Sequence, residues 1–283
     1  HELTGAPFVS FHTFYLMNSQ SELGSEGTEA YRQVTAHYIN QFRERLGLPA
    51  LSDPMTRNGG SPHLTLFAIS PHIVAHPSGW PEHHHMTGYF FLDEGNWVPD
   101  PALVNFINAG EPPVVISFGS VLHDDPEALT KLLVKAVRLA GPRAIIQHGW
   151  SGLAKGSLPE DVFTIGRAPH AWLFPRASCV VHHGGAGTTA ATFRAGVPSV
   201  VIPHMYDQFI WAGLAEKLGC AGPSIGFGDL TFERLAWSIA MTVNTSRYHK
   251  AASELGKKIR AENGVRAARL LIEDLMVRLG AAD

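Results

Sequence analysis

VVHHGGAGTTAATFRAG, residues 180–196, decides how the rest of the chain is read. It starts as a β-branched run, passes through two histidines and a glycine-rich turn, and continues into residues that favour a helix. A strand, a tight turn and a helix in that order form one half of a parallel-sheet unit. Upstream and downstream the same grammar recurs. Val114–Ser120, Ala144–Trp150, Val162–Gly166 and Ser199–His204 are short Val- and Ile-rich runs, each bounded by Gly or Pro. Helical segments are expected at 126–139, 188–194, 207–218 and 232–243. Apolar runs alternating with helices predict a parallel sheet covered on both faces. Ligands of such sheets bind beyond the carboxyl ends of the strands. Three runs end there in Phe118-Gly119-Ser120, His148-Gly149-Trp150 and His182-His183-Gly184-Gly185, so several glycine-rich turns share one edge.

The turn itself admits three readings. Gly185-x-Gly187-x-x-Ala190 matches a dinucleotide fingerprint, and Asp207 lies near where a ribose-binding acid belongs. That fingerprint normally follows the first strand of its domain, whereas here at least three strands precede it. A phosphate site is the second reading. The first N–H groups of the following helix are free, Thr188 and Thr189 add hydroxyls, and His183 can donate to an anion. No Lys follows the glycines, so the turn is not an ATPase phosphate loop. Packing alone is the third: close helix–strand approach with ordinary core histidines. The density of His, Gly and Thr at a strand end favours the phosphate. Side chains alternate along a strand, so His183 is the ligand candidate and His182 the structural one.

Before residue 113 the pattern is sparser. A strand is expected near 7–12 and a helix over 28–46, with Tyr31, Val34, His37, Tyr38 and Phe42 at helical spacing. Leu64–Ser70 reads as a short buried strand. The Pro-, Gly- and His-rich stretch that follows, as far as Pro113, reads as a linker. Its histidines are expected to be solvated or hydrogen-bonded within the linker, and His83, His84 and His85 make a poor zinc site because adjacent residues point apart. A long helix over 247–279, broken near Gly264, closes the chain.

Composition sets the outer limits. The 283 residues are 45% hydrophobic and 17% charged, with a net charge of −3. No basic tract suggests a nucleic-acid partner, and no run of about 18 apolar residues spans a membrane. Cys179 and Cys220 cannot make a disulfide framework, which suits a cytoplasmic protein. The chain opens at His1 in mid-pattern, and further strands of its first domain are expected to precede it.

Residues 169–225, PHAWLFPRASCVVHHGGAGTTAATFRAGVPSVVIPHMYDQFIWAGLAEKLGCAGPSI, resemble the donor region of UDP-sugar glycosyltransferases. Within that inverting GT-B family, sterol glucosyltransferases and their bacterial relatives are the most similar group. WPEHHHMTGYFFLD resembles the passage joining the family's two domains, and PPVVISFGS the first strand of the second. The fold implied is α/β of GT-B type. Residues 113–283 would be a Rossmann-like donor domain with a parallel sheet, and residues 1–100 the tail of an N-terminal Rossmann-like domain plus linker.

The resemblance implies a function as well. It is transfer of a hexose, glucose by expectation, from a UDP-sugar to a lipophilic hydroxyl (sterol, terpenoid or flavonoid type) with inversion. Ser120, His183, Gly185, Gly187 and Thr188 would hold the diphosphate. Trp150, Ala168, Pro169 and His170 would line the nucleoside, and Asp207 and Gln208 would bind the sugar. No metal or other cofactor is expected. Three departures stand out. Ala171 replaces an Asp, Met205 and Tyr206 stand where Phe-Gly is usual, and no residue matches the catalytic base. His12, His84 and His85 have no such role in the family. An alternative is therefore a UDP-sugar-binding module, or half of a split transferase, inactive alone. The expected partners are the UDP-sugar, the acceptor, and a second copy or a complementing N-terminal chain. Localisation is expected to be cytoplasmic with peripheral membrane contact.

Overall fold

The computed structural model describes residues 6–13, 25–51, 60–92, 94–149, 152–153 and 158–280. It divides into two compact units, residues 1–90 with 263–283, and residues 91–262.

The first unit holds strand β1 (Val9–His12), helix α1 (Ser25–Arg45), strand β2 (Leu64–Phe67) and strand β3 (His84–Met86). The three strands pair in parallel in the order β1-β2-β3, with Val9 opposite Leu64 and Thr65 opposite His84. β3 lies inside the stretch expected to be a linker. His84 is correspondingly buried, not solvated, with its ring 5.6 Å from Trp80 and 5.7 Å from Phe67. On α1, Tyr38 and Phe42 are at helical spacing as expected, but both are exposed.

The second unit carries α2 (Pro101–Asn108), β4 (Val114–Ser117), α3 (Pro126–Ala140), β5 (Ala144–Gln147), β6 (Val162–Ile165), α4 (His170–Leu173), β7 (Cys179–His182), α5 (Ala186–Ala195), β8 (Ser199–Val201), α6 (Asp207–Lys217), α7 (Phe232–Asn244) and α8 (Ser246–Ala261). A final helix, α9 (Gly264–Arg278), returns to the first unit. There Ala268 and Leu275 bury against Leu64 and Leu66 of β2. The break before α9 falls at Glu262-Asn263, where the Asn263 side chain accepts the Arg266 N–H at 3.0 Å and caps the new helix.

The division differs from the sequence-based one at both ends. Trp97, Leu103, Phe106 and Ile107 pack with Val115, Ile145 and Phe163, so the segment before Pro113 belongs to the second core. α9 belongs to the first.

The second sheet is all parallel in the order β6-β5-β4-β7-β8. Its runs are β-branched because both faces are covered, and β4, β5, β7 and β8 are buried throughout. One face packs Ile116, Val181 and Val200 against Leu133 and Val137 of α3 and Leu235 and Ile239 of α7. The other packs Val115, Ile145 and Val180 against Leu103, Leu173 and Phe174. Strand order reverses between β4, which continues towards β5, and β7, which continues towards β8. A ligand crevice is expected at such a switch point.

Candidate functional site

Register places Ser117, Gln147, Ile165, His182 and Val201 side by side at the carboxyl edge of the sheet. A buried polar chain runs along this edge. Ser117 Oγ donates to Gln147 Oε1 at 3.0 Å, and Gln147 Nε2 donates to the Ala168 carbonyl at 3.0 Å. It ties the β4 end to the loop that holds Ala168, Pro169 and His170.

The two histidines differ in their surroundings, although both are buried. His182 is fully buried, and its Nδ1 accepts the Gly184 N–H at 3.1 Å, bracing the turn. Burial pushes its pKa down to about 3, helped by His183 and His170. His183 lies over the switch point. A Cβ on Gly119 would come within 3.0 Å of its Cε1, and one on Gly185 would overlap Nε2. The ring therefore occupies the space those two glycines leave. Burial lowers the His183 pKa, with a smaller contribution from His123 in the same sense, while the Ser117 backbone and Asp207 raise it. Its buried Nδ1 has no hydrogen-bond partner among the described residues.

α5 begins immediately beyond. Its first helical bond runs from the Thr189 N–H to the Gly185 carbonyl, and no side chain caps its N-terminus. The N–H groups of Ala186, Gly187 and Thr188 precede the hydrogen-bond ladder and carry the positive end of the helix dipole. Gly187 is exposed, and a Cβ there would meet nothing within 4 Å. Thr188 is buried, and the Thr189 hydroxyl is buried without a partner among the described residues.

The start of α6 abuts this turn. A Cβ on Gly184 would sit 2.9 Å from the Gln208 carbonyl and 2.9 Å from Val201 Cγ1. Asp207 Oδ2 accepts the Trp211 indole N–H at 3.1 Å. Gln208 is buried, and its Oε1 accepts the N–H groups of His204 and Met205 at 2.7 and 3.2 Å.

Ser120 is exposed at the end of the β4 turn. The His170 ring stacks on Phe174 at 4.3 Å, and burial lowers its pKa to about 4. No side chain caps α4, and Ala171 is exposed. Trp172 packs on Trp97 at 5.0 Å, a core role. Trp150 lies outside the described residues.

One cluster escaped the sequence reading. His123, from the loop after β4, and His204, after β8, meet with ring centroids 5.3 Å apart. Phe118 and Phe227 complete the group, with His204 stacked on Phe227 at 4.1 Å. The two histidines come from separate loops and belong to no motif. Among the described residues no group of three metal-type ligands converges, and no helix is long and apolar enough to cross a membrane.

Residues 131–265 match the family model "Erythromycin biosynthesis protein CIII-like, C-terminal domain". The O-mycaminosyltylonolide 6-deoxyallosyltransferase of Streptomyces fradiae is 38% identical over 240 residues, covering 83% of this chain and 56% of that protein. The sterol 3-beta-glucosyltransferase UGT80B1 of Arabidopsis thaliana is 38% identical over 236 residues, covering 82% of this chain and 38% of that protein. The chain is similar to these glycosyltransferases over most of its length. Its fold agrees: the calicheamicin glycosyltransferase CalG4 superposes with a TM-score of 0.70 at 17% identity, over 95% of this chain and 69% of that one. The chain spans about half of the S. fradiae protein and less of the sterol enzyme. The switch point of its second sheet is where the His-Gly-Gly turn, the uncapped helix and Asp207 come together.

Proposed function

We propose that the second unit binds the diphosphate of a UDP-sugar at the α5 N-terminus, and that the protein transfers the hexose to a lipophilic hydroxyl with inversion. One observation carries the reading. His183 fills the room made by Gly119 and Gly185, whereas the exposed Gly187 has no neighbour that requires a glycine. Close approach of a ligand to the backbone there accounts for it. His183, Gly185, Gly187, Thr188 and Ser120 would hold the diphosphate. Ala168, Pro169 and His170 would line the nucleoside. The Asp207 carboxylate and Gln208 NH2 would orient the sugar hydroxyls.

In the reaction, the acceptor oxygen loses its proton to a base and bonds to the anomeric carbon. The bond from that carbon to the phosphate oxygen breaks. Charge gathering on the departing UDP is stabilised by the α5 N–H groups and by the N–H of a neutral His183. These fixed donors suit a site that needs no metal ion.

Calorimetric titration with UDP, on the wild type and His183→Ala, tests the donor site. A hydrogen bond to a charged group contributes about 1.5–3 kcal/mol, so affinity should fall roughly ten- to hundredfold. Undiminished binding in the variant refutes the assignment. Glycoside formation from UDP-glucose on a panel of sterols and flavonoids then tests the transfer.

A further inference from the structure

His204 lies where three loops meet. It follows β8, and its ring stacks on Phe227, in the turn 227–229, with centroids 4.1 Å apart. His123 and Phe118, from the segment after β4, pack against it with centroids 5.3 and 5.6 Å away. Its Nδ1 is 2.8 Å from the Ile202 carbonyl, which can only accept, so Nδ1 carries the hydrogen. Nε2 is then a bare lone pair. It is buried without a partner among the described residues, as is Nε2 of His123. A phenyl ring would fill this apolar setting and orphan no nitrogen. What the imidazole adds is the bond that ties the ring to the backbone at Ile202.

The backbone at residue 204 is bonded directly to a residue proposed to hold the sugar. The N–H groups of His204 and Met205 donate to Gln208 Oε1 at 2.7 and 3.2 Å, and the Gln208 N–H returns to the Met205 carbonyl at 3.1 Å. Asp207 belongs to this closed turn, with its carboxylate on the Trp211 indole. The His204 ring anchors one end of the turn and Gln208 closes the other. We propose that His204 is a positioning residue of the donor site: its ring, held by Phe227, His123 and the Ile202 carbonyl, fixes the turn that presents Asp207 and Gln208. This rests on the donor-site reading given above.

The anchor depends on a neutral ring. Burial lowers the His204 pKa to about 4, with His123 and His183 acting in the same sense and the Ile202 carbonyl opposing. Burial also lowers the pKa of His123, opposed by the exposed Asp124. Asp229, on the turn that carries Phe227, pairs with Arg234 at 3.8 Å, and Asp207 is engaged by Trp211. A proton on His204 therefore meets two histidines and no carboxylate of its own. Once released to water the ring returns to an ordinary value near 6.5. The released turn binds the proton more readily, so acid favours release, by about tenfold between pH 7.5 and pH 5.5.

Calorimetry with UDP and with UDP-glucose at pH 7.5 and 5.5, on the wild type and His204→Phe, tests the role. Phenylalanine keeps the ring packing and removes both the Ile202 bond and the titration. Wild-type affinity for UDP-glucose should fall by up to about tenfold on going to pH 5.5. His204→Phe should bind UDP like the wild type at each pH. It should bind UDP-glucose about five- to tenfold more weakly at pH 7.5, with no further fall at pH 5.5. Equal UDP-glucose affinity of the two proteins at pH 7.5, or an equal fall in both, overturns the proposal. If the variant binds no UDP, the wild-type comparison decides alone: a UDP-glucose affinity that does not change with pH overturns the proposal while leaving the donor site intact. A wild-type chain that binds neither ligand refutes the donor site itself, and this inference with it.

Discussion

Alanine at two glycines of one turn should move stability in opposite directions while both affect ligand binding. Gly187 is the second residue of α5, its φ is ordinary, and a Cβ there meets nothing within 4 Å. Alanine is favoured over glycine in a helix by about 0.5–1 kcal/mol, so Gly187→Ala should unfold about 1–4 °C higher for a unit of this size. The same methyl would project among the free N–H groups, where the diphosphate is proposed to approach. A loss of about tenfold in UDP affinity corresponds to roughly 1.4 kcal/mol. Gly184 is the opposite case. Its φ is +86°, and a Cβ would lie 2.9 Å from the Gln208 carbonyl. The left-handed conformation costs about 1–2 kcal/mol, and overpacking against fixed neighbours costs about 1–3 kcal/mol more. Gly184→Ala should therefore unfold about 4–20 °C lower and lose UDP binding as Asp207 and Gln208 shift. Differential scanning calorimetry and UDP titration on both variants provide the assay. A Gly187→Ala protein that binds UDP like the wild type would show that nothing approaches that backbone, and the diphosphate placement would fail.

Two further outcomes concern the fold. The folded His182 pKa, about 3, lies below the ordinary value near 6.5. The unfolded chain binds more protons between those values, so stability should rise with pH from about 3 to about 6.5 and level off above. His182 alone should contribute a loss of about 2 kcal/mol on going from neutral pH to pH 5, with His170 and His204, each lowered to about 4, acting in the same sense. Urea midpoints against pH should flatten in His182→Asn, and an identical profile would refute the assignment. Ending the chain at Glu262 removes α9 and uncovers Leu64 and Leu66. The truncated protein should bind a hydrophobic dye or aggregate, and a dye-negative monomer would contradict the packing described.

The second unit was legible because its signals are local. Val114–Ser117, Ala144–Gln147 and Cys179–His182 are buried on both faces, so each is written as a short apolar run that turns polar at its last residue and is followed within two residues by glycine. Asp125 before Pro126 announces α3 and indeed accepts the Ala128 N–H at 2.9 Å. Asp100 before Pro101 carries the same signal, with Leu103, Phe106 and Ile107 at helical spacing. It was masked by the surrounding Pro and Gly residues. β3 was not legible. His84-His85-Met86 has neither alternation nor β-branching, and it is a strand only because β2 offers it an edge. The return of α9 to the first unit was hidden for a similar reason, since an amphipathic helix states that it needs a partner but not which one. The meeting of His123 with His204 depends on the order of strands and has no counterpart in residue spacing.

The histidines also bear on how this edge of the sheet would hold the proposed diphosphate without imidazolium charge. His170, His182, His183 and His204 all have pKa values lowered by burial, and their mutual repulsion deepens the effect in several of them. At neutral pH they are donors and acceptors of single hydrogen bonds. His182 uses that capacity internally, on Gly184. The positive potential must then come from the end of α5, where three N–H groups precede the ladder and the dipole is worth about half a charge. Such a field is fixed by the backbone and needs no reorganisation as charge moves onto a leaving diphosphate. The glycines divide accordingly. Gly184 permits the turn that aims α5, Gly119 and Gly185 make room for the His183 ring, and Gly187 alone keeps the end of the helix bare.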